Sequence, residues 1–209
     1  MSNLTAIKQS PKVMPGRPRG FDADAALRAA LQVFWSHGYA ATSLDALNDA
    51  MGLSRSSFYA CYGSKHELLM ASVQLYVDER FAALTAQAAT NADPRLAIRE
   101  MLAAIANIEG GTRGCLFVNA VAELAPDDDE LVAFAQAHTA RVAALMTATL
   151  ARLGCPTEEA ADRAGALLAM VMGVTTLRKT GVPTTQLESL LAQADHLIPQ
   201  KTSTKKKQS

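Results

Sequence analysis

Apolar residues recur along most of this chain at the three- and four-residue spacing of one helix face. Leu27, Ala30, Leu31 and Phe34 show this spacing first, in a helix predicted from Asp22 to Gly38. Most of the later apolar segments open after Ser, Thr, Asp or Pro, which are residues that begin helices. The pattern therefore predicts further helices over 43–51, 55–61, 64–88, 94–108, 115–125, 127–153, 157–179 and 184–197.

The segment from Thr42 to Leu69 holds short helices with a cap residue at each start. Ser43, Ser54 and Ser64 precede the helices, and Gly52 separates the first two. Phe58 is the obvious core residue of the helix after Ser54, so the polar side chains of that helix point outward. The pattern predicts a helix-turn-helix that presents its second helix to DNA. The alternative is a solvated polar turn in a helical protein.

The same region resembles the DNA-binding domain of the TetR/AcrR transcriptional regulators from residue 16 to about 70. The resemblance lies in GRPRGFD, FWSHGYAATSLDAL and MGLSRSSFYACYGSKHELL, and the run G-x-S-x-x-x-x-Y-x-x-[FY]-x-S-K-x-x-L-L is specific to that family. It implies phosphate contacts by Thr42, Ser43, Tyr59 and Lys65, and base contacts by Arg55, Ser56 and Ser57. Two positions depart from the family pattern: Cys61 stands where His is frequent, and Tyr62 where Phe is usual.

Charge is unevenly distributed although the formal net charge is zero. Residues 1–70 carry 7 Lys+Arg against 5 Asp+Glu, residues 71–199 carry 9 against 15, and residues 200–209 carry 4 against none. This division suits a DNA-facing head on an acidic body. Arg17 and Arg19 precede the first helix and are expected to enter the minor groove as an arm; the alternative is a disordered, solubilising leader.

The expected fold is all-α, because Ala and Leu dominate and aromatic residues are only 5 %. The expected organisation is a flexible basic arm at 1–20, a three-helix helix-turn-helix domain at 21–66, a helical effector-binding and dimerisation domain at 67–199, and a disordered basic tail at 200–209. No signal peptide is apparent, and the apolar segment 164–177 is too short to span a bilayer. Scattered histidines and cysteines without C-x-x-C spacing indicate neither a metal site nor a cofactor. These features favour the cytoplasm and no membrane association.

The predicted helix 157–179 carries a row of small residues, four apart, at Ala161, Gly165, Ala169 and Gly173. Such a row lets a second helix approach closely. The TetR resemblance implies a homodimer in which the last two helices of each subunit pair. The candidate interface residues are Gly165, Leu168, Ala169, Met172 and Gly173, and the alternative is packing within one subunit.

The segment RGCLFVNAVAEL places Cys115 at the start of a helix, where the dipole favours a thiolate. It resembles the G-C-[LF] motif of one branch of the TetR family, in which some members sense electrophiles or oxidants through this cysteine. Lys179 occupies the position of a lysine that works with the cysteine there. The alternative is that Cys115 is a small buried residue.

An apolar effector pocket is also expected in the larger domain. Its candidate lining is Leu102, Ile105, Phe117, Val121, Phe134, Met146, Met170 and Met172, each of which could instead be plain core. The sequence thus predicts a DNA-binding regulator, a homodimeric repressor of a palindromic operator released by a small molecule or an electrophile, and not an enzyme. The rival is a thiol enzyme using Cys115, for which His138 is the nearest candidate base along the chain.

Overall fold

The computed structural model describes residues 22–125 and 127–199, and within these ranges every regular element is helical. The predictions for Arg17, Arg19, the arm at 1–20 and the tail at 200–209 lie outside the described residues. The elements are α1 (Ala23–His37), α2 (Leu44–Met51), α3 (Arg55–Tyr62), α4 (Lys65–Thr90), α5 (Pro94–Ala106), a 3₁₀ segment (Ile108–Arg113), α6 (Leu116–Leu124), α7 (Asp129–Ala151), α8 (Thr157–Lys179), α9 (Thr184–Ala192) and a final 3₁₀ turn (Gln193–His196). The all-α prediction is confirmed.

The chain divides into two compact units between Ser72 and Val73. In the first unit, the side chain of Asp22 accepts hydrogen bonds from the amides of Asp24 and Ala25 and so begins α1. The unit has a small core in which α1, α2, α3 and the start of α4 each place fully buried side chains. These are Ala30, Leu47, Phe58 and Leu68.

The core of the second unit is built around α8, which packs against α5, α7 and α9. Its buried side chains include Ile98, Met101, Leu102, Met146, Leu150, Leu167 and Val171. By length and composition alone, α8 could cross a membrane. In the structure one face of α8 instead lies at the centre of this core, where Ala164, Leu167 and Val171 are fully buried.

The structure departs from the predicted pattern after α5. That helix ends at Ala106 rather than 108, because Asn107 adopts a left-handed conformation (φ 43°, ψ 52°). A 3₁₀ segment without buried residues follows and leads to Cys115. Cys115, which follows this segment, borders the cavity of the second unit.

Candidate nucleic-acid interface and effector cavity

Helices α2 and α3 are joined by a tight turn at Gly52. Gly52 takes a left-handed conformation (φ 65°, ψ 35°), and the amide of Leu53 donates to the carbonyl of Asn48 at 2.9 Å. Ser43 caps α2 through the amide of Ala46, and Ser54 caps α3 through the amide of Ser57. Both capped starts were predicted from sequence, and together they fix the geometry of a helix-turn-helix.

Helix α3 has one buried and one exposed side. Phe58 has no exposed surface, whereas 52 % of the neighbouring Tyr59 is exposed. Their rings meet edge to face with centroids 5.3 Å apart. The buried ring anchors α3, so that Arg55, Ser56 and Tyr59 are presented to solvent.

The hydroxyl groups at the start of α3 interact with one another. Ser54 Oγ lies 3.0 Å from Ser56 Oγ and 2.9 Å from Ser57 Oγ. The hydroxyls of Ser56 and Ser57 can therefore donate to Ser54 within the unit or rotate toward an outside acceptor.

Thr42 and Ser43, predicted to contact phosphate at the start of α2, differ in whether their hydroxyl groups are free to donate to DNA. Thr42 is buried, and its hydroxyl donates to the carbonyl of Gly38 at 2.5 Å. In this conformation it has no second proton to give to a phosphate. Ser43 accepts the capping hydrogen bond, which leaves its own hydroxyl proton able to donate.

The ammonium group of Lys65 lies at the beginning of α4, 4.3 Å from the centroid of the Tyr39 ring. This cation–π contact fixes the ammonium group over the Tyr39 ring. A positive charge on the first residue of a helix favours a phosphate oxygen at that helix end.

Arg55 forms an ion pair that the sequence pattern did not reveal. Its Nε donates to Asp45 Oδ1 at 3.1 Å, and its Nη2 lies 2.8 Å from Oδ1 and 3.0 Å from Oδ2. The pair links the first turn of α2 to the first turn of α3. Both side chains remain about two-thirds exposed.

The second unit contains a cavity of about 110 Å³ with mainly apolar walls. Of the predicted lining residues, Ile105, Phe117 and Met172 border it, together with Cys115. The sequence analysis missed most of the other walls, which are Tyr76, Val77, Arg80, Phe81, Ala83, Leu84, Ala104, Val118, His138, Thr139, Val142, Leu168 and Thr175. Many of these come from α4 and α7, whose weak apolar periodicity gives little signal of an inner face.

The remaining predicted lining residues lie elsewhere. Leu102 and Met146 are core residues with almost no exposed surface, and Met170 packs on the same core. Val121 borders a separate, shallow groove between α6 and α7. Phe134 contacts the cavity wall through its ring, whose centroid is 6.5 Å from that of Phe117.

Cys115 stands at the N-cap position of α6 and borders the cavity. The hydroxyl of Tyr76 donates to its sulfur at 3.4 Å. Burial raises the pKa of Tyr76 well above its usual value, and the nearby Cys115 raises it further. The phenol therefore stays protonated as a donor at neutral pH.

The predicted lysine partner of Cys115 is directed to another group. Lys179 Nζ lies 3.0 Å from Asn119 Oδ1, and Asn119 in turn donates to the carbonyl of Arg113 at 2.8 Å. The stem of Lys179 passes Gly114, next to the cysteine. Lys179 is thus joined to the segment before Cys115 through Asn119.

The neighbouring residue Arg178 is buried, with 4 % of its surface exposed. Its guanidinium donates to the carbonyls of Asn107 at 2.7 Å and Gly114 at 2.8 Å, so it holds both ends of the 3₁₀ segment. Burial lowers the pKa of Arg178, while the proximity of Tyr76 and Cys115 acts to raise it. A Cβ atom at Gly110 would overlap both the side-chain amide of Asn107 and Nη1 of this guanidinium.

His138 also borders the cavity, with its ring 4.9 Å from that of Phe117 between centroids. Its Nδ1 is buried and has no hydrogen-bond partner among the described residues. Burial lowers the pKa of His138, and Arg141 lowers it further, whereas Asp78 opposes them. The ring is therefore neutral at pH 7. The hydrogen-bond donor to the Cys115 sulfur is Tyr76 rather than this histidine.

No cluster of three or more potential ligands for a metal occurs among residues 22–125 and 127–199. On α8, the row Ala161, Gly165, Ala169 and Gly173 is exposed along its whole length. Leu168, predicted beside it, is instead buried and borders the cavity, and Met172 is half-buried there. A side chain at position 168 points inward because it shares the face of Ala164 and Val171.

Comparisons with known proteins cover both units. Residues 26–71 match the family described as bacterial regulatory proteins, tetR family, and residues 94–193 match the C-terminal domain of LmrA/YxaF-like transcriptional regulators. The chain is 36 % identical over 131 residues to the HTH-type transcriptional repressor ComR of Escherichia coli, covering 61 % of this chain and 62 % of ComR. It is 30 % identical over 122 residues to the uncharacterized HTH-type transcriptional regulator YezE of Bacillus subtilis, covering 57 % and 63 %. The alignment thus spans less than two thirds of either relative.

Solved structures show the same fold. A cysteine mutant of the TetR family regulator CifR, complexed with a 26-base-pair double-strand operator DNA, superposes with a TM-score of 0.75 and 26 % identity. The superposition covers 88 % of this chain and all of that one. The reduced form of Escherichia coli NemR superposes with a TM-score of 0.75 at 20 % identity, covering 84 % of this chain and 96 % of NemR.

Proposed function

The chain belongs to the TetR family of bacterial regulatory proteins, and from this premise we propose that it is a transcriptional repressor. Its helix-turn-helix head binds a palindromic operator as a homodimer, in the cytoplasm, and an effector in the second unit releases it. The capped α2–α3 pair, with Phe58 buried and the polar side of α3 exposed, is the observation that carries this proposal. The operator complex of CifR, which has a similar fold, supports it.

At the proposed DNA interface, α3 lies in the major groove and α2 crosses the backbone. Arg55, Ser56 and Ser57 contact base edges, because the first residues of a recognition helix reach deepest. Ser43, Tyr59 and Lys65 hold phosphates, and Arg17 and Arg19 enter the adjacent minor groove. Thr42 supports the start of α2 from within, through its hydrogen bond to Gly38.

The proposed dimer pairs α8 and α9 of each subunit, with Gly165, Ala169 and Gly173 at the closest approach. These positions are exposed, as are Leu177 and Leu190 on the same two helices. A two-fold dimer presents two heads to two half-sites, which a palindromic operator needs.

Replacing Gly165 and Gly173 together with leucine is expected to convert the dimer to a monomer. A Cβ at either position would meet no atom within 4 Å in the single chain, so the subunit itself tolerates the change. Leucine is also a better helix former than glycine. The added side chains would separate two closely packed helices and raise the dimer dissociation constant by at least about 100-fold, since close packing is lost along the row.

Sedimentation velocity at micromolar concentration measures this change. The matched control is Ala137→Leu, at an exposed position of α7. A wild-type monomer, or a double variant that stays dimeric, would contradict the proposed interface.

The proposed effector is a compact, uncharged and largely apolar molecule. The walls are chiefly aliphatic and aromatic, and a cavity of about 110 Å³ is small; an engineered apolar cavity of about 150 Å³ binds benzene. His138 is neutral, and the guanidinium of Arg80 donates to the carbonyl of Ala104 and lies over the ring of Tyr76, so the apolar walls are expected to dominate the choice of ligand. Such an effector releases DNA only if it binds the non-DNA conformation more tightly.

An electrophile of this class would meet the thiol of Cys115 in the cavity wall. With a quinone, the sulfur forms a bond to a ring carbon, and the S–H and ring C–H protons end on the two oxygens, giving a hydroquinone thioether. The donor Tyr76 and the buried cation Arg178 are the groups that would stabilise negative charge at this position. Lys179 helps to place the segment before Cys115 through its hydrogen bond to Asn119.

Replacing Cys115 with alanine is expected to abolish release of DNA by a benzoquinone. DNA affinity without the quinone should stay within about threefold of wild type, because Cys115 belongs to the second unit and not to the DNA-binding head. Fluorescence anisotropy on DNA from upstream of the gene measures both quantities, with Cys61→Ala, an exposed cysteine, as control. Mass spectrometry of peptides should locate an adduct on Cys115, and an additional adduct on the exposed Cys61 should not affect release. Continued turnover of the quinone would indicate a thiol enzyme instead, and a normal response of the alanine variant would move the search to a non-covalent ligand.

A further inference from the structure

The ion pair between Asp45 and Arg55 places a carboxylate on the surface that we assign to DNA. A negative charge there repels phosphates, so it weakens non-specific binding. Exposed ion pairs also add little to folding stability. Neither DNA affinity nor folding stability therefore explains the pair. We look for its role in the orientation of the Arg55 side chain, which three hydrogen bonds hold to Asp45.

The geometry of the pair divides the guanidinium into two edges. Asp45 Oδ1 accepts from Nε and Nη2, and Oδ2 also accepts from Nη2, so the carboxylate occupies the side edge. The terminal edge, formed by Nη1 and the second proton of Nη2, faces away from the carboxylate. Among the described residues, Asp45 is the only acceptor within hydrogen-bonding distance of Arg55. A guanidinium has five N–H groups, so this terminal fork remains a complete pair of donors.

A terminal fork matches the two acceptors of guanine. The O6 and N7 atoms of guanine in the major groove accept two parallel hydrogen bonds from arginine. Arg55 is the first residue of α3, where a recognition helix contacts base edges. A free arginine has many rotamers, and fixing one of them before binding removes an entropic cost.

We propose that Asp45 orients Arg55 so that its terminal edge reads one guanine in each half-site, which makes Asp45 a positioning residue for sequence specificity. The inference rests on the proposed function, since it requires the head to bind DNA. Asp45 itself does not touch the base in this arrangement.

The experiment compares full-length variants on DNA. Wild-type protein first selects its site from a random duplex library, and anisotropy then measures affinity for that site and for versions in which each G·C pair is replaced by A·T. The variants are Asp45→Asn, Arg55→Lys and Arg55→Ala. The matched control is Asp49→Asn, which removes the same charge from an exposed position of the same helix. Circular dichroism melting checks that each head is folded.

At one base pair in each half-site, the wild-type protein is expected to bind the G·C sequence about 10- to 100-fold more tightly than the A·T sequence. Arg55→Lys removes this preference, because an ammonium group has no planar fork. Asp45→Asn lowers it at least threefold, whereas Asp49→Asn raises affinity for all sequences and leaves the preference unchanged. In the Arg55→Ala background, Asp45→Asn has no further effect on discrimination, as expected of a residue that acts through Arg55.

Three results would overturn the inference. One is a preference of the wild-type protein for guanine that persists at every position in the Arg55 variants. Another is an Asp45→Asn variant that behaves like Asp49→Asn, which would make the carboxylate a mere repulsive charge. A loss of preference for cytosine in Asp45→Asn, independent of Arg55, would show that Asp45 reads a base directly. A wild-type protein that selects no sequence at all would instead remove the proposed function, and the inference with it.

Discussion

Replacing Phe58 with alanine is expected to abolish operator binding by unfolding the head, although the ring touches no DNA. Phe58 is fully buried, and its ring packs against those of Tyr59 and Tyr62. Truncating a buried phenylalanine costs about 3–5 kcal/mol. That is a large part of the stability of a small unit, since whole domains are stable by only about 5–15 kcal/mol. Amide hydrogen exchange across α1 to α3 and anisotropy on the operator measure the two consequences.

Tyr59→Ala is the matched control, because the neighbouring ring lies on the exposed side of α3. This variant should keep the amide protection of α1 to α3. It should lose about tenfold in affinity on every sequence, as expected for a phosphate contact. A Phe58→Ala protein that binds the operator as wild type does would show that α3 is anchored in some other way.

Replacing Arg178 with methionine is expected to destabilise the second unit by about 2–3 kcal/mol, because it removes two hydrogen bonds from a buried, charged donor. The carbonyls of Asn107 and Gly114 both lose the guanidinium, although that of Asn107 still accepts from the amide of Gly110. Methionine keeps the apolar length of the side chain, so the loss reports mainly on the hydrogen bonds. Thermal unfolding should show a transition lowered by on the order of 10 °C.

Lys179→Met provides the comparison at the adjacent, exposed position, where the ammonium bonds to Asn119. Its expected change in unfolding free energy is within about 0.5 kcal/mol. Equal effects of the two variants would contradict the assignment of Arg178 as the residue that fixes segment 107–114. A stabilised Arg178→Met protein would indicate that desolvation of the buried charge outweighs its hydrogen bonds.

Local features of the fold could be predicted because they depend on neighbouring residues. The cap residues Ser43, Ser54 and Ser64 each accept a hydrogen bond from the backbone amide three residues ahead, as their sequence context indicated. Helix α8 begins and ends where the pattern placed it, between Pro156 and Thr180. The end of α5 could not be predicted in this way. Asn107 ends the helix in a left-handed conformation, but in the sequence it is one more polar residue in a helical pattern.

Contacts between distant residues could not be predicted from periodicity. The hydrogen bond from Tyr76 to Cys115 joins residues 39 positions apart, and that from Arg178 to Gly114 joins residues 64 apart. The prediction that Lys179 is the cation that works with Cys115 could have been compared with the apolar periodicity of α8. Residues 164, 167, 171, 174 and 178 repeat at three and four, which places Arg178 on the inner face of α8 and Lys179 outside it.

The anchoring of segment 107–114 by Arg178 also restricts how this protein can diverge. A side chain at Gly110 would overlap the side-chain amide of Asn107 and also the guanidinium of Arg178, which is buried and bonded and so has little room to move. The three positions are therefore expected to be epistatic: Gly110→Ala costs most in a background that retains both Asn107 and Arg178. Descendants gain access to side chains at position 110 only after both neighbours have been replaced by residues that leave this space open. The order in which these positions are substituted then decides which sequences the 107–114 segment before Cys115 can adopt.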